Sequence, residues 1–237
     1  MRKIKKFLLI LTNFNFILGL INNIAASVEH VNFIKKIKVK TVIDIGSNKG
    51  QFLLLCSKYF PYANFFSFEP QLDQLEIQKK FFRNKIKIKF FNFALGETEK
   101  ISILYVTSRK DSSSMYKINK KLVKNKDYEI TEKKEIKIKK ISNILKKKDL
   151  KKNILVKIDV QGYELNVIKG FEKLITEVKY LLIEVSNNEV YKKQPKSSKI
   201  IKYLKRKKFK IASESNWIQL DKSNVKQKDI LFINEKL

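Results

Sequence analysis

From residue 41 to residue 186, short runs rich in β-branched and aromatic residues alternate with segments of helix length. That order is expected of a mostly parallel sheet whose strands are joined by crossover helices. Residues 41–45, 64–68, 86–95, 154–160 and 180–186 read as strands, and 49–59 and 71–83 as helices. Residues 100–106 and 129–139 read as an inserted strand pair flanking a polar loop with Asp111, Ser112, Ser113 and Ser114. Such insertions often carry substrate contacts, so Ser113 and Ser114 are expected in a substrate loop. A basic helix over 198–207 and strands at 209–213 and 230–234 complete the sheet. The 237-residue length suits one α/β domain over 39–237, preceded by a helical extension over 1–38.

In a parallel sheet, ligands bind outside the carboxyl ends of the strands, so residues at those ends are the candidates. The first strand runs directly into Asp44-Ile-Gly46-Ser-Asn48-Lys-Gly50 and then a helix. Glycines there let the backbone approach a ligand closely, and the helix N-terminus offers free amide donors. The spacing lacks the second and third glycines of the dinucleotide fingerprint, which argues against an NAD-linked enzyme and for a ligand without pyrophosphate. S-adenosylmethionine is such a ligand, and Asp44 is expected to orient its ammonium group. Glu69 ends the second strand, 25 residues after Asp44, where a carboxylate can accept both ribose hydroxyls. Asn92 and Ala94, ahead of Gly96, are expected at the adenine edge.

The fourth strand ends in Asp159 and is followed by Gly162 and Glu164. Methyl transfer from a sulfonium is an in-line displacement, so the protein must align donor and acceptor, exclude water and accept a proton. Asp159 is the first candidate to bind or deprotonate the acceptor, with Glu164 and Glu184 second. For Glu164 the alternative is a charge meeting the positive end of a helix. His30, the only histidine, is expected on the surface of a helix, with a base that reaches the site as the alternative. With one cysteine, Cys56 in an apolar helical run, neither a disulfide framework nor a cysteine metal site is available, and no metal is expected.

These residues resemble the FkbM family of methyltransferases: Val42-Ile-Asp-Ile-Gly-Ser-Asn-Lys-Gly-Gln-Phe52, Phe68-Glu-Pro70, Ala94-Leu-Gly96 and Lys157-Ile-Asp-Val-Gln-Gly-Tyr-Glu164. The resemblance implies a Rossmann-like class I methyltransferase, an α/β fold with a seven-stranded sheet whose last strand is antiparallel. It also implies an S-adenosyl-L-methionine cofactor and O-methylation of a hydroxyl on a sugar, glycolipid or natural product. The family's usual alanine before the asparagine is Ser47 here.

The net charge of +29 points first to a polyanion. Only four of the 52 basic residues are arginine, the planar fork that phosphate and base readers favour. A small-molecule or glycan acceptor is therefore expected rather than nucleic acid, with RNA methylation or an inactive membrane-associated binding protein as the alternatives. Arg2, Lys3, Lys5 and Lys6 precede an apolar stretch that imitates a signal peptide, but Thr12, Asn13, Asn15, Asn22 and Asn23 interrupt it. Packing on the domain is expected, with a cytoplasmic protein that touches the inner membrane face peripherally.

Overall fold

A computed structural model of the chain describes residues 3–123, 126–220 and 224–237, with side chains from residue 6 onward among these. Arg2 and the side chains of Lys3 and Lys5 lie outside the described set. In chain order the elements are α1 (Lys3–Leu11), α2 (Phe14–Ile21), α3 (Val31–Ile34), β1 (Thr41–Ile45), α4 (Gln51–Tyr59), β2 (Asn64–Phe68), α5 (Leu72–Phe82), β3 (Ile88–Phe91) and β4 (Ala94–Leu95). They continue with β5 (Lys100–Thr107), β6 (Ile130–Lys139), α6 (Ile141–Ile144), β7 (Ile154–Ile158), α7 (Glu164–Gly170), β8 (Val178–Ser186), α8 (Ser197–Arg206), β9 (Phe209–Glu214), β10 (Ile218–Gln219) and β11 (Lys226–Asn234).

The main sheet runs β3-β2-β1-β7-β8-β11, with β9 and the two-residue β10 both pairing with the far edge of β11. The strands from β3 to β8 are parallel, and β11 is antiparallel to β8. Every residue of the central strands β1 and β7 is buried, which is why both read as unbroken apolar runs rather than alternating ones. One hydrophobic cluster, around Ile43, Val156 and Phe171, fills one side of the sheet. The other, around Val42, Leu53 and Phe65, takes in the N-terminal segment.

Two expectations need correction. The single strand expected over 86–95 is two strands in two sheets, because Asn92 turns its side-chain amide to the backbone oxygens of Glu69 and Pro70 and ends the pairing with β2. β4 then joins the inserted pair, giving a three-stranded sheet β4-β6-β5. That small sheet is pressed against α7: a Cβ on Gly170 would lie 2.2 Å from the carbonyl oxygen of Gly96, an approach only glycine permits.

The polar residues of the N-terminal stretch have structural work. Asn13 caps α2 by accepting from the Phe16 amide at 3.3 Å, and the Asn22 side chain donates to Leu18 O at 2.8 Å where α2 ends. Ile10, Phe16 and Ile24 are buried in the cluster with α4, and Gly19 allows α2 close to Leu54. Phe16→Ala should cost roughly 3 kcal/mol, the usual scale for a large buried aromatic, measured by denaturant unfolding. A change under about 0.5 kcal/mol would mean that the extension is only loosely attached.

Candidate functional site

The end of β1 is a tight turn in which Gly46, Asn48 and Gly50 all have positive φ, at 75°, 47° and 86°. Gly46 is indispensable to that geometry, since a Cβ would fall 2.0 Å from the carbonyl oxygen of Asp159 on the neighbouring segment. The Gly46 amide bonds Phe68 O at 2.9 Å and the Asp159 amide bonds Ile45 O at 3.0 Å, so the first, second and fourth strand ends are mutually fixed. Behind the turn, Ser47, Ser67 and Gln78 form a closed polar triangle with separations of 2.6–2.9 Å, and Gln78 also donates to Asn48 O. Ser47, the departure from the family's alanine, is therefore used: its hydroxyl completes this network.

Glu69 is buried and bridges two segments. Its Oε2 accepts from the Asn48 amide at 2.7 Å and its Oε1 from the Gln71 amide at 2.9 Å. Burial pushes its pKa up to about 7, against the opposing pull of those two amides.

Two clefts open at these strand ends. The first holds about 570 Å³ of space not filled by protein and is lined by Gly46, Asn48, Glu69, Ala94, Ser113, Ser114 and Asp159, with apolar walls from Phe68, Phe93, Leu95 and Tyr163. The second, about 1430 Å³, is lined by Lys157, Asp159, Glu184, His30, Gln227 and Asp229 among others. Asp159, Gly46, Asn48, Asp111 and Gln161 border both, so the two clefts meet at the end of β7.

Asp159 sits at that junction. Its Oδ2 is 3.0 Å from Lys157 Nζ and its Oδ1 accepts from Gln161 at 2.8 Å. Burial disfavours its charge, but the charge and hydrogen bond of Lys157 and the bond from Gln161 outweigh it and hold the carboxyl below the ordinary aspartate range. Asp159 is thus ionised throughout the neutral range. Glu184 borders the second cleft and accepts from Gln227 at 2.9 Å. Burial first, then the negative charges of Asp159, Asp229 and Glu164, push its pKa well up.

Four residues expected in the site line neither cleft. Asp44 is wholly buried beside Lys157 in the β1–β7 register, with no hydrogen-bond partner on either oxygen, and burial raises its pKa to about 6. Gly50 packs on Phe82 at the start of α4, and Asn92 braces the Glu69–Pro70 turn from behind. Glu164 turns inward at the start of α7, its Oε1 accepting from Gly162 at 2.8 Å and Val160 at 3.3 Å.

Ser113 and Ser114 do reach the first cleft, and Ser114 Oγ donates to Gln161 O at 2.6 Å, tying the inserted loop to the end of β7. His30 corrects the surface expectation: it is 7% exposed, edge-on to Phe52, and pairs through Nε2 with Asp229 at 3.3 Å. Folding of the N-terminal segment back over β11 buries it, a long-range event that local pattern does not encode. Lys157 was also missed, although a lysine inside the apolar run Ile154–Ile158 is itself a signal of a buried charge partner.

Strand order and the two clefts define a Rossmann-like class I methyltransferase fold. Residues 44–211 match the methyltransferase FkbM domain, and the chain belongs to that family. Among solved structures it is similar to magnesium protoporphyrin IX methyltransferase from Synechocystis PCC 6803 with bound S-adenosylmethionine, at 11% identity and a TM-score of 0.50 over 94% of this chain and 85% of that one. It is also similar to an uncharacterized protein from Listeria monocytogenes serotype 4b, at 10% identity and a TM-score of 0.50 over 88% and 68% of the two chains. At such identities the likeness shows the fold. No curated protein matches the chain. The cofactor of this family and fold is S-adenosyl-L-methionine. The first cleft suits it chemically: it joins a buried carboxylate to aromatic and aliphatic walls, as a ribose and an adenine require.

Glu164 generates a pH prediction. Its pKa is raised by burial to about 7 in the fold from an ordinary 4.5, so the folded state holds the proton more tightly than the unfolded chain. That contribution to stability is present at low pH and is lost as pH rises from about 4.5 through about 7. Glu164→Gln keeps an acceptor for Gly162, so its melting temperature should match wild type near the acid end of that window and exceed it above the window. An unchanged pH slope in thermal melts would show that Glu164 carries no such burden.

Proposed function

We propose that the protein transfers a methyl group from S-adenosylmethionine to a hydroxyl of a sugar or similar uncharged, polyhydroxylated acceptor, with the cofactor in the first cleft and the acceptor in the second. The observation that supports this most is the position of Asp159, the one carboxylate held ionised by a buried lysine where the two clefts meet.

In this reading Glu69 accepts hydrogen bonds from the ribose hydroxyls, and Ala94, Phe93 and Tyr163 enclose the adenine. Gly46 and Asn48 bring backbone to the amino-acid end. Asp44 acts at a distance, through the field it shares with Lys157. When bound, the cofactor supplies an electrophilic methyl on a sulfonium. Asp159 would accept the hydrogen bond of the acceptor hydroxyl, orient its oxygen in line with the carbon–sulfur bond, and take its proton as the oxygen–carbon bond forms and the carbon–sulfur bond breaks, with S-adenosylhomocysteine leaving. Glu184 and Gln227 provide further polar contacts for a hydroxylated acceptor, and Ser113 and Ser114 hold the inserted loop over the cofactor.

The charge of the second cleft favours a neutral acceptor. Lys6 pairs with Glu29, Arg109 with Asp111, Lys157 with Asp159 and Lys228 with Glu214, at 2.7–3.0 Å. Every described lysine and arginine lining the cleft is thus paired, which leaves no free cation there to hold a phosphate chain. The chain's overall +29 is the observation behind a second reading, methylation of RNA.

Labelled methyl transfer to neutral oligosaccharides and to RNA separates the two. We expect transfer to the glycan, with only non-specific RNA binding that is lost between about 50 and about 200 mM salt. Asp159→Asn should lower kcat by about 100-fold or more while S-adenosylhomocysteine affinity changes far less. Transfer to RNA alone, or full activity of Asp159→Asn, would overturn the assignment.

A further inference from the structure

The N-terminal helix pair presents a surface that methyl transfer does not use. While Ile10, Phe16 and Gly19 face inward, Phe7, Leu8 and Leu11 of α1 and Phe14 and Ile21 of α2 stand in solvent, the last two 71% and 72% exposed. A cluster of large apolar side chains on one small element marks an interaction surface. Among the described residues no helix is long and apolar enough to cross a membrane.

The charge around this surface identifies its partner. α2 and α3 both pack on α4, and Lys35, Lys36 and Lys38 just after α3, with Lys58 on α4, are exposed. Among the described residues none of these four lysines has a carboxylate partner. A second copy of the chain placed on this surface by two-fold symmetry would bring these lysines against their own equivalents. An anionic bilayer meets both features, taking the apolar side chains below its headgroups and the lysines at its phosphates.

The same segment also walls the second cleft. Ala25, Ser27, Glu29 and His30 line it, and the pairs Lys6–Glu29 and His30–Asp229 fix the segment at its rim. We propose that α1 and α2 dock on an anionic membrane surface and so hold the second cleft at the interface. Resting on the acceptor assignment above, this makes the acceptor a hydroxyl of a lipid-anchored glycan.

The test is co-flotation of the full-length protein with vesicles of phosphatidylethanolamine and phosphatidylglycerol, and with neutral phosphatidylcholine vesicles, at physiological ionic strength. Wild type should float with the anionic vesicles only. The triple variant Phe7→Ser, Phe14→Ser, Ile21→Ser should lose at least about tenfold in partitioning while keeping its melting temperature and S-adenosylhomocysteine binding. Lys35→Glu with Lys36→Glu, which leaves every apolar contact in place, should also weaken flotation. Failure of a wild type that binds S-adenosylhomocysteine to float, or flotation of the triple variant equal to wild type, overturns the proposal. So does a wild-type dimer that the triple variant abolishes, since the surface then belongs to a second copy. Flotation without S-adenosylhomocysteine binding would keep the docking surface and remove the methyltransferase reading instead.

Discussion

The carboxylate of Glu69 ties the site together. One oxygen holds the amide of Asn48 in the turn after β1, the other the amide at the start of α5, and its own amide reaches Phe91 O on β3. Three consecutive strand ends are thereby set relative to one another before any ligand arrives. Such fixing matters because displacement chemistry draws most of its advantage from groups already in place. The cost is a buried acid, and the protein meets it with backbone amides rather than a cation, which leaves lone pairs free to face the cleft.

A second constraint runs across the sheet. Asp44, Lys157, Asp159, Glu184 and Asp229 bring several acids and one buried lysine to the carboxyl ends of β1, β7, β8 and the start of β11. One cation cannot neutralise them all, so the acids divide: Asp159, in direct contact with Lys157, stays charged, and burial drives Asp44 and Glu184 toward the protonated form. The result is a cleft floor without free positive charge in a chain that is otherwise strongly basic. The lysines that give the chain its charge lie outside this cleft or are paired at its edge, so the net charge and the charge of the site describe different surfaces.

Much of the fold was legible because the strands that build the site are short, apolar and locally determined. Residues 41–45 and 64–68 form the strands their patterns announce, and Gly46, Glu69 and Asp159 lie at strand ends as the parallel arrangement requires. What could not be read depends on contacts distant in sequence. The strand after α5 breaks because Asn92 finds partners at Glu69 and Pro70, and its remainder joins a sheet with residues some forty positions later. His30 is buried by β11, whereas Glu164 meets the nearby amides of Val160 and Gly162 at the start of α7, the helix-start alternative its position offered. Composition, motif and period carry neither the break at Asn92 nor the burial of His30.

Calorimetric titration with S-adenosylhomocysteine tests directly whether Glu69 organises the first cleft as a cofactor site. Wild type should bind saturably at one site per chain, and Glu69→Ala, folded by circular dichroism, should bind at least about tenfold more weakly, the scale of a lost hydrogen bond to a charged group. Absence of binding by folded wild type, or equal affinity of the variant, would contradict that role of Glu69.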